Sequence, residues 1–306
     1  MAVAFQPDGR HFLGGSIDAM RRWRLADAQE VGKQTGSAVL AISVSRDHRW
    51  IVAGTMEGAS VWDGEMREQV FVVEGGKIVD AVDVSSDSTR FATGTRVYEA
   101  SIWSITTGLR LVGPLKHDAE VTGIRFSPDG KHIVTACWEG NWIRIFDSHT
   151  GDKLVTIDAA IPSRGIITPL AWSSNGQHIF AACHDEKIKA FDASTGTQLA
   201  ESQALHDDKN SIRSIALASN GRFIATFVGH SILFLDTSTL ACIGPAIEDS
   251  KQIWSVAISL DNSHVATGRD DGKIVIRDLS KILPDFYGPF NVSICAFIYS
   301  QASSTT

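Results

Sequence analysis

Short runs of alternating apolar and polar residues recur along the chain, each ending in a turn signal. In Ile124-Arg125-Phe126-Ser127-Pro128-Asp129-Gly130 an alternating strand runs into a type I turn, where Pro presets φ and Gly accepts the exit geometry. Pro7-Asp8-Gly9, Ser174-Asn175-Gly176 and Ser219-Asn220-Gly221 carry the same chemistry. An apolar segment follows, such as His132-Ile133-Val134-Thr135-Ala136, then a polar turn such as Asp270-Asp271-Gly272. The next alternating stretch, as in Lys273-Ile274-Val275-Ile276-Arg277-Asp278, predicts a third strand. After Thr150-Gly151 and Thr195-Gly196 comes a weaker fourth strand, for example Lys153-Leu154-Val155-Thr156-Ile157. No amphipathic helix stands out, and helix is expected in under about a tenth of the residues.

The pattern is periodic. The turn residue falls at Asp8, Asp47, Asp87, Asp129, Asn175, Asn220 and Asp261, at intervals of 39 to 46 residues. A second anchor follows about 15 residues later, at Trp23, Trp62, Trp103, Phe146, Phe191, Leu235 and Arg277. Two anchors holding one phase through seven units predict seven four-stranded sheets. Such a sheet cannot cover both of its faces alone, whereas radial stacking covers them all. The expected fold is all-β: a seven-bladed β-propeller of four-stranded antiparallel blades over residues 1–283, with a tail at 284–306. Trp23, Trp62, Trp103, Phe146 and Phe191 are expected to be mostly buried as structural anchors.

The spacing and the aromatic-Asp anchors resemble the WD40-repeat family. Trp62-Asp63 is the one intact Trp-Asp pair, while Phe146-Asp147, Phe191-Asp192, Leu235-Asp236 and Arg277-Asp278 keep the Asp. The resemblance covers roughly residues 1–280. It implies a His–Asp–Ser/Thr–Trp hydrogen-bond brace, best matched in blade 4 by His117, Glu139, Thr135 and Phe146. Phe cannot donate the indole hydrogen bond, and Asp18, Asp185 and Asp271 match the brace's Asp without a full set. The blades are therefore expected to cohere mainly by apolar packing, with blades 3 and 6 the most divergent.

The resemblance also implies that partners dock around the central channel. The inner-strand register carries Leu40, Asp80, Thr122, Thr168, Arg213 and Trp254; the register before the brace's Asp carries Ile17, Met56, Trp138, His184 and Asp270. Trp254, Arg213, Trp138, His184, Met56, Asp80 and Leu40 form the candidate partner-binding rim. Trp, Arg and Met are residue types that anchor interfaces or repack adaptably. Trp142 is out of keeping with Lys187 and Lys273 at its register, and either fills a gap between blades or belongs to the rim.

Composition narrows the function. The net charge of −7 without a long basic run makes nucleic acid an unlikely main partner. Cys137, Cys183, Cys242 and Cys295 lie far apart and read as reduced thiols of an intracellular protein, cytoplasmic or nuclear. The start has no secretory pattern, and no apolar run is long enough to span a membrane. No Walker loop, G-x-S-x-G or H-E-x-x-H motif occurs. His11, His132, His178 and His264 repeat with the turns and so spread around the ring; no metal, cofactor or catalytic residue is expected.

The expected role is a non-catalytic scaffold that binds other proteins or peptides on the propeller face, with no membrane. The alternative is a ligand-sensing module cut from a longer multidomain or repeat-array protein; an enzyme using the channel is the remotest reading. Val292-Ser293-Ile294-Cys295-Ala296-Phe297 matches an inner strand, and Phe297 falls 39 residues after Ile258. Residues 288–300 are expected either to close blade 7 or to begin a truncated eighth repeat.

Overall fold

The computed structural model describes residues 2–138, 142–159, 169–205, 212 and 214–283. Seven antiparallel sheets stand around one axis as blades of a propeller. Blade 1 holds β1 (Ala2–Phe5), β2 (His11–Gly15), β3 (Ala19–Arg24) and β4 (Glu30–Thr35). Blade 2 holds β5 (Val39–Val44), β6 (Trp50–Thr55), β7 (Gly58–Asp63) and β8 (Gln69–Val73). Blade 3 holds β9 (Val79–Val84), β10 (Arg90–Thr95), β11 (Glu99–Ser104) and β12 (Arg110–Lys116). Blade 4 holds β13 (Val121–Phe126), β14 (His132–Cys137), β15 (Trp142–Asp147) and β16 (Lys153–Asp158). Blade 5 holds β17 (Leu170–Trp172), β18 (His178–Ala182), β19 (Ile188–Asp192) and β20 (Gln198–Glu201). Blade 6 holds β21 (Ile215–Leu217), β22 (Phe223–Val228), β23 (Ser231–Asp236) and the short β24 (Ile247–Glu248). Blade 7 has three strands among the described residues, β25 (Ile253–Ile258), β26 (His264–Arg269) and β27 (Ile274–Asp278), followed by α1 (Leu279–Ile282). Each inner strand packs on the next, and β1 packs on β25 and β26, so the ring closes. Residues 288–300, expected to help close it, lie outside the described residues.

Local chemistry fixes the phase of each blade. In the first turn of blades 2, 3, 4 and 7 the Asp Oδ1 accepts from the hydroxyl two residues before it, as in Ser127 Oγ to Asp129 at 2.6 Å. The same oxygen accepts the N–H two residues on, as from Lys131 N at 3.0 Å. The next residue, Gly9, Gly130, Gly176 or Gly221, has positive φ, and His48, Ser88 and Asn262 fill that position in the other blades. A second carboxylate nucleates the turn before the outer strand: Asp147 Oδ1 accepts from His149 N at 2.7 Å and Thr150 N at 2.9 Å.

Between the blades lies a continuous apolar filling. Val134, Ile143, Ile145, Leu170, Ile179 and Phe191 pack together between blades 4 and 5. Near the axis the blades crowd, and a Cβ on Gly94 would stand 2.8 Å from the carbonyl oxygen of Val121 on the next blade. Polar clamps supplement this packing more than the sequence suggested. Arg90 of blade 3 donates to Ser148 O at 3.1 Å and Gly130 O at 2.8 Å on blade 4. Arg22 of blade 1 joins Gln6 Oε1 at 2.6 Å to Glu65 Oε2 of blade 2, also at 2.6 Å.

The anchors divide. Trp103, Phe146 and Phe191 are buried as expected. Trp23 and Trp62 are less completely enclosed, neither fully buried nor exposed. Trp62 Nε1 bonds Ser60 Oγ of its own strand at 3.0 Å, and Trp23 stacks on Phe12 within blade 1. Blade 3 departs less from the pattern than expected, because Trp103 Nε1 donates to the buried Thr93 Oγ1 at 3.0 Å.

Candidate interaction face

The turns between second and third strands, and the starts of the inner strands, lie together on one face of the ring. On blades 1 to 4 this face is apolar. Ile17 is 87% exposed, Met56 43%, Val97 49%, Tyr98 48% and Trp142 41%, each in or beside one of these turns. Tyr98 sits at φ 65°, a conformation that costs a bulky side chain strain of about 1 kcal/mol or more.

Several of the charges around these turns pair with one another, while Glu57 beside Met56 stands exposed. Asp18 pairs with Arg21 at 3.2 Å, and Lys77 bridges Glu74 at 2.5 Å and Glu99 at 2.9 Å. Hydrogen bonds that Lys77 donates to Glu74 and Glu99 push its ammonium pKa up. Arg144 pairs with Asp118, and Lys116 with Glu99. What this half of the face offers a partner is therefore chiefly apolar surface. The half on blades 5 to 7 is polar, with His184, Asp185, His230 and Asp270 exposed.

The residues expected on the rim are placed as follows. Met56 and His184 are exposed; Leu40, Trp138 and Trp254 are half-buried on the same face. Asp80 is buried, and its carboxylate takes a two-point contact from Arg96, Nε at 2.7 Å and Nη2 at 3.1 Å. Its hydrogen bond to Asp80 raises the pKa of Arg96, so the group this position offers to solvent is the Arg96 guanidinium. Arg213 and Thr168 lie outside the described residues, as does Glu139 of the expected brace. Val97 and Tyr98 are the residues the sequence reading missed. The step from Thr55 to Thr95 is shorter than that from Trp62 to Trp103, so the turn before β11 holds one extra residue and the register carried over from other blades passed it by.

In blade 4 the brace is present in part. His117 Nε2 lies 2.9 Å from Thr135 Oγ1 and its Nδ1 3.0 Å from Leu115 O, while the Phe146 ring packs 5.5 Å from the imidazole. Burial pushes the His117 pKa down to about 4, so the ring is neutral at pH 7. Blade 7 fills the same registers with charges. Asp249, four residues ahead of its inner strand like His117, is buried between Arg269 Nη1 at 3.0 Å and Arg277 Nη2 at 2.6 Å. Arg277 Nη1 donates to the buried Thr267 Oγ1 at 3.1 Å, the bond that Trp103 makes to Thr93 in blade 3.

The inner strands of all seven blades enclose a channel cavity of about 440 Å³. Among the described residues no group of three or more His, Cys, Asp or Glu could hold a metal ion, and no helix is long and apolar enough to cross a membrane. Burial pushes the thiols of Cys137 and Cys183 up to about 12, which leaves them inert as nucleophiles.

Comparison with known proteins agrees with the geometry. Residues 92–163 match the family described as the anaphase-promoting complex subunit 4 WD40 domain, and residues 241–278 match the WD domain, G-beta repeat. WD repeat-containing protein 1 of Mus musculus is 32% identical over 206 residues, covering 62% of this chain and 33% of that protein. Methylosome protein WDR77 of Xenopus laevis is 24% identical over 203 residues, covering 60% of each. The chain spans about a third of the length of the first of these relatives. The β-propeller domain of Cps50 (Swd1) from Myceliophteria thermophila superposes with a TM-score of 0.77 at 17% identity, over 90% of this chain and 96% of that one. The repeat phase, the seven blades and these matches agree in supporting the WD40-repeat family for this chain.

Proposed function

We propose that the chain is a non-catalytic scaffold that docks another protein or peptide on the apolar turns of blades 1 to 4. The observation that carries this reading is the run of Ile17, Met56, Val97, Tyr98 and Trp142, exposed on one face while several neighbouring charges pair among themselves. Apolar anchors of this kind dominate binding energy at interfaces. Leu40 and Trp254 extend the surface towards the channel, and Met56 lets it adapt. Turn-forming carboxylates such as Asp129, Asp147 and Asp192 are occupied by backbone N–H groups, which supports a binding role over acid–base chemistry. The reading includes an intracellular setting, with neither membrane nor nucleic acid as partner.

Affinity capture tests it. Wild type and Leu260→Asp, changed in a turn on the opposite face, should retain the same partner, and a Met56→Asp/Tyr98→Asp double variant should lose it. Trp254→Ala should weaken capture by a smaller amount. Equal recovery by all four proteins would remove the assignment of this face.

A further inference from the structure

The channel wall carries unsatisfied donors whose positions follow from strand register. In an antiparallel pair, residues that bond their opposite alternate with residues whose N–H and C=O point away. Ser85 N donates to Arg90 O and Ser127 N to His132 O, so Val84 and Phe126 just before them turn their N–H groups to the channel. The same bond recurs in every blade, giving seven inward N–H groups at one level. Two are capped from the preceding blade: Val84 N by Ser43 Oγ at 3.1 Å and Phe126 N by Asp83 Oδ2 at 2.8 Å. At the matching register the other blades carry Ala4, Arg125, Ala171, Ala216 and Ala257. None of these side chains can accept, so the N–H groups of Val44, Trp172, Leu217, Ile258 and Phe5 remain open to the cavity.

Charge selects what can meet them. Among the described residues four charged ones line the cavity: Arg46, Asp80, Asp83 and Arg125. Asp80 is neutralised by Arg96 from outside it, which leaves one carboxylate against two guanidinium groups. Arg125 Nη1 covers the inward carbonyls of Ile124 at 3.0 Å and Val82 at 3.4 Å and stands 3.6 Å from Asp83 Oδ1. Its Nε and Nη2 are left for a ligand. Arg46 is exposed in the turn that edges one mouth of the channel. Burial pushes the Asp83 carboxyl pKa up, against the pull of Arg125.

We propose that the channel holds a single anionic group, a carboxylate or a phosphate, between Arg125, Arg46 and the open N–H groups of blades 5, 6, 7, 1 and 2. This site is separate from the docking face. Calorimetric titration at constant ionic strength, with inorganic phosphate in one arm and acetate in the other and chloride as reference, tests it. At least one of the two should bind saturably, and the arm that binds tighter identifies the source of the charge. Arg125→Met should weaken that binding at least about tenfold through loss of charge-assisted hydrogen bonds. Arg46→Ala should weaken it less, and Arg49→Ala, in the same turn but away from the cavity, should leave it unchanged. Asp83→Asn keeps an oxygen for Phe126 N while removing the opposing charge, and should tighten binding. Saturation by neither anion in wild type, or equal affinity in wild type, Arg46→Ala and Asp83→Asn, would overturn the proposal.

Discussion

Blades 4 and 7 place a buried threonine hydroxyl at the same point of the second strand and serve it with opposite chemistry. In blade 4 a neutral imidazole, His117, reaches Thr135, and Phe146 fills the remaining space with its ring. In blade 7 the Thr267 hydroxyl is met by Arg277, and Asp249 at the histidine's register holds Arg277 and Arg269 together. The backbone register thus fixes where a polar bridge must stand, and leaves open whether it is built from aromatic rings or from ions. The two solutions should fail differently.

Phe146→Ala should have the largest effect, about 3–5 kcal/mol, because a buried ring is replaced by a cavity that sheets on both sides keep open. Thermal or denaturant melts of the purified variant measure it. Asp249→Ala should cost about 3 kcal/mol or somewhat more, because two poorly exposed guanidinium groups lose their counter-ion. An Asp249→Ala/Arg277→Leu double variant should recover part of that loss in the same melts; no recovery would mean that Asp249 acts through packing alone.

Acid should separate the blades more gently. His117 has a folded pKa of about 4 against an ordinary 6.5, so the unfolded chain binds the extra proton first. Stability should therefore decline as pH falls from about 6.5 towards 4, and a His117→Gln variant should flatten that slope. Burial pushes the Asp249 carboxyl up, but the hydrogen bond from Arg277 and the charges of both arginines outweigh it and hold the pKa below the usual range. Its contribution is present above the unfolded carboxyl pKa and is lost only as pH falls through the lower folded value, so blade 7 should hold across the interval in which blade 4 weakens. Melting temperatures between pH 7 and pH 3 for wild type and both variants give the order. Added salt should have the smallest effect, since buried pairs are poorly screened.

The fold was legible because its phase is written in local chemistry. Asp129 or Asn175 makes its own turn, and the alternation on either side of it needs no distant partner. The ionic brace was less legible: Arg277 read as a lost aromatic anchor, because its tie to Asp249 spans 28 residues. Asp80 read as an open rim carboxylate, since Arg96, 16 residues on, meets it only once β9 and β10 are paired. Val97 and Tyr98 were hidden by the extra residue in their turn. The capping of Phe126 N by Asp83 joins neighbouring blades 43 residues apart, and no period within a single blade predicts it.

The seam where β1 packs on β25 and β26 has a consequence for the order in which the molecule is made. Every other blade contact joins units that leave the ribosome in succession, so each sheet can settle against the one before it. Blade 1 must wait, with Gly14 uncovered on one side, until Ile274 arrives to pack against it. Until blade 7 is made, blades 1 to 6 form an open arc, and β25 and β26 convert it into a ring. Slow translation through blade 7 should lengthen the life of that arc, and with it the time in which a second nascent copy can occupy the place of blade 7.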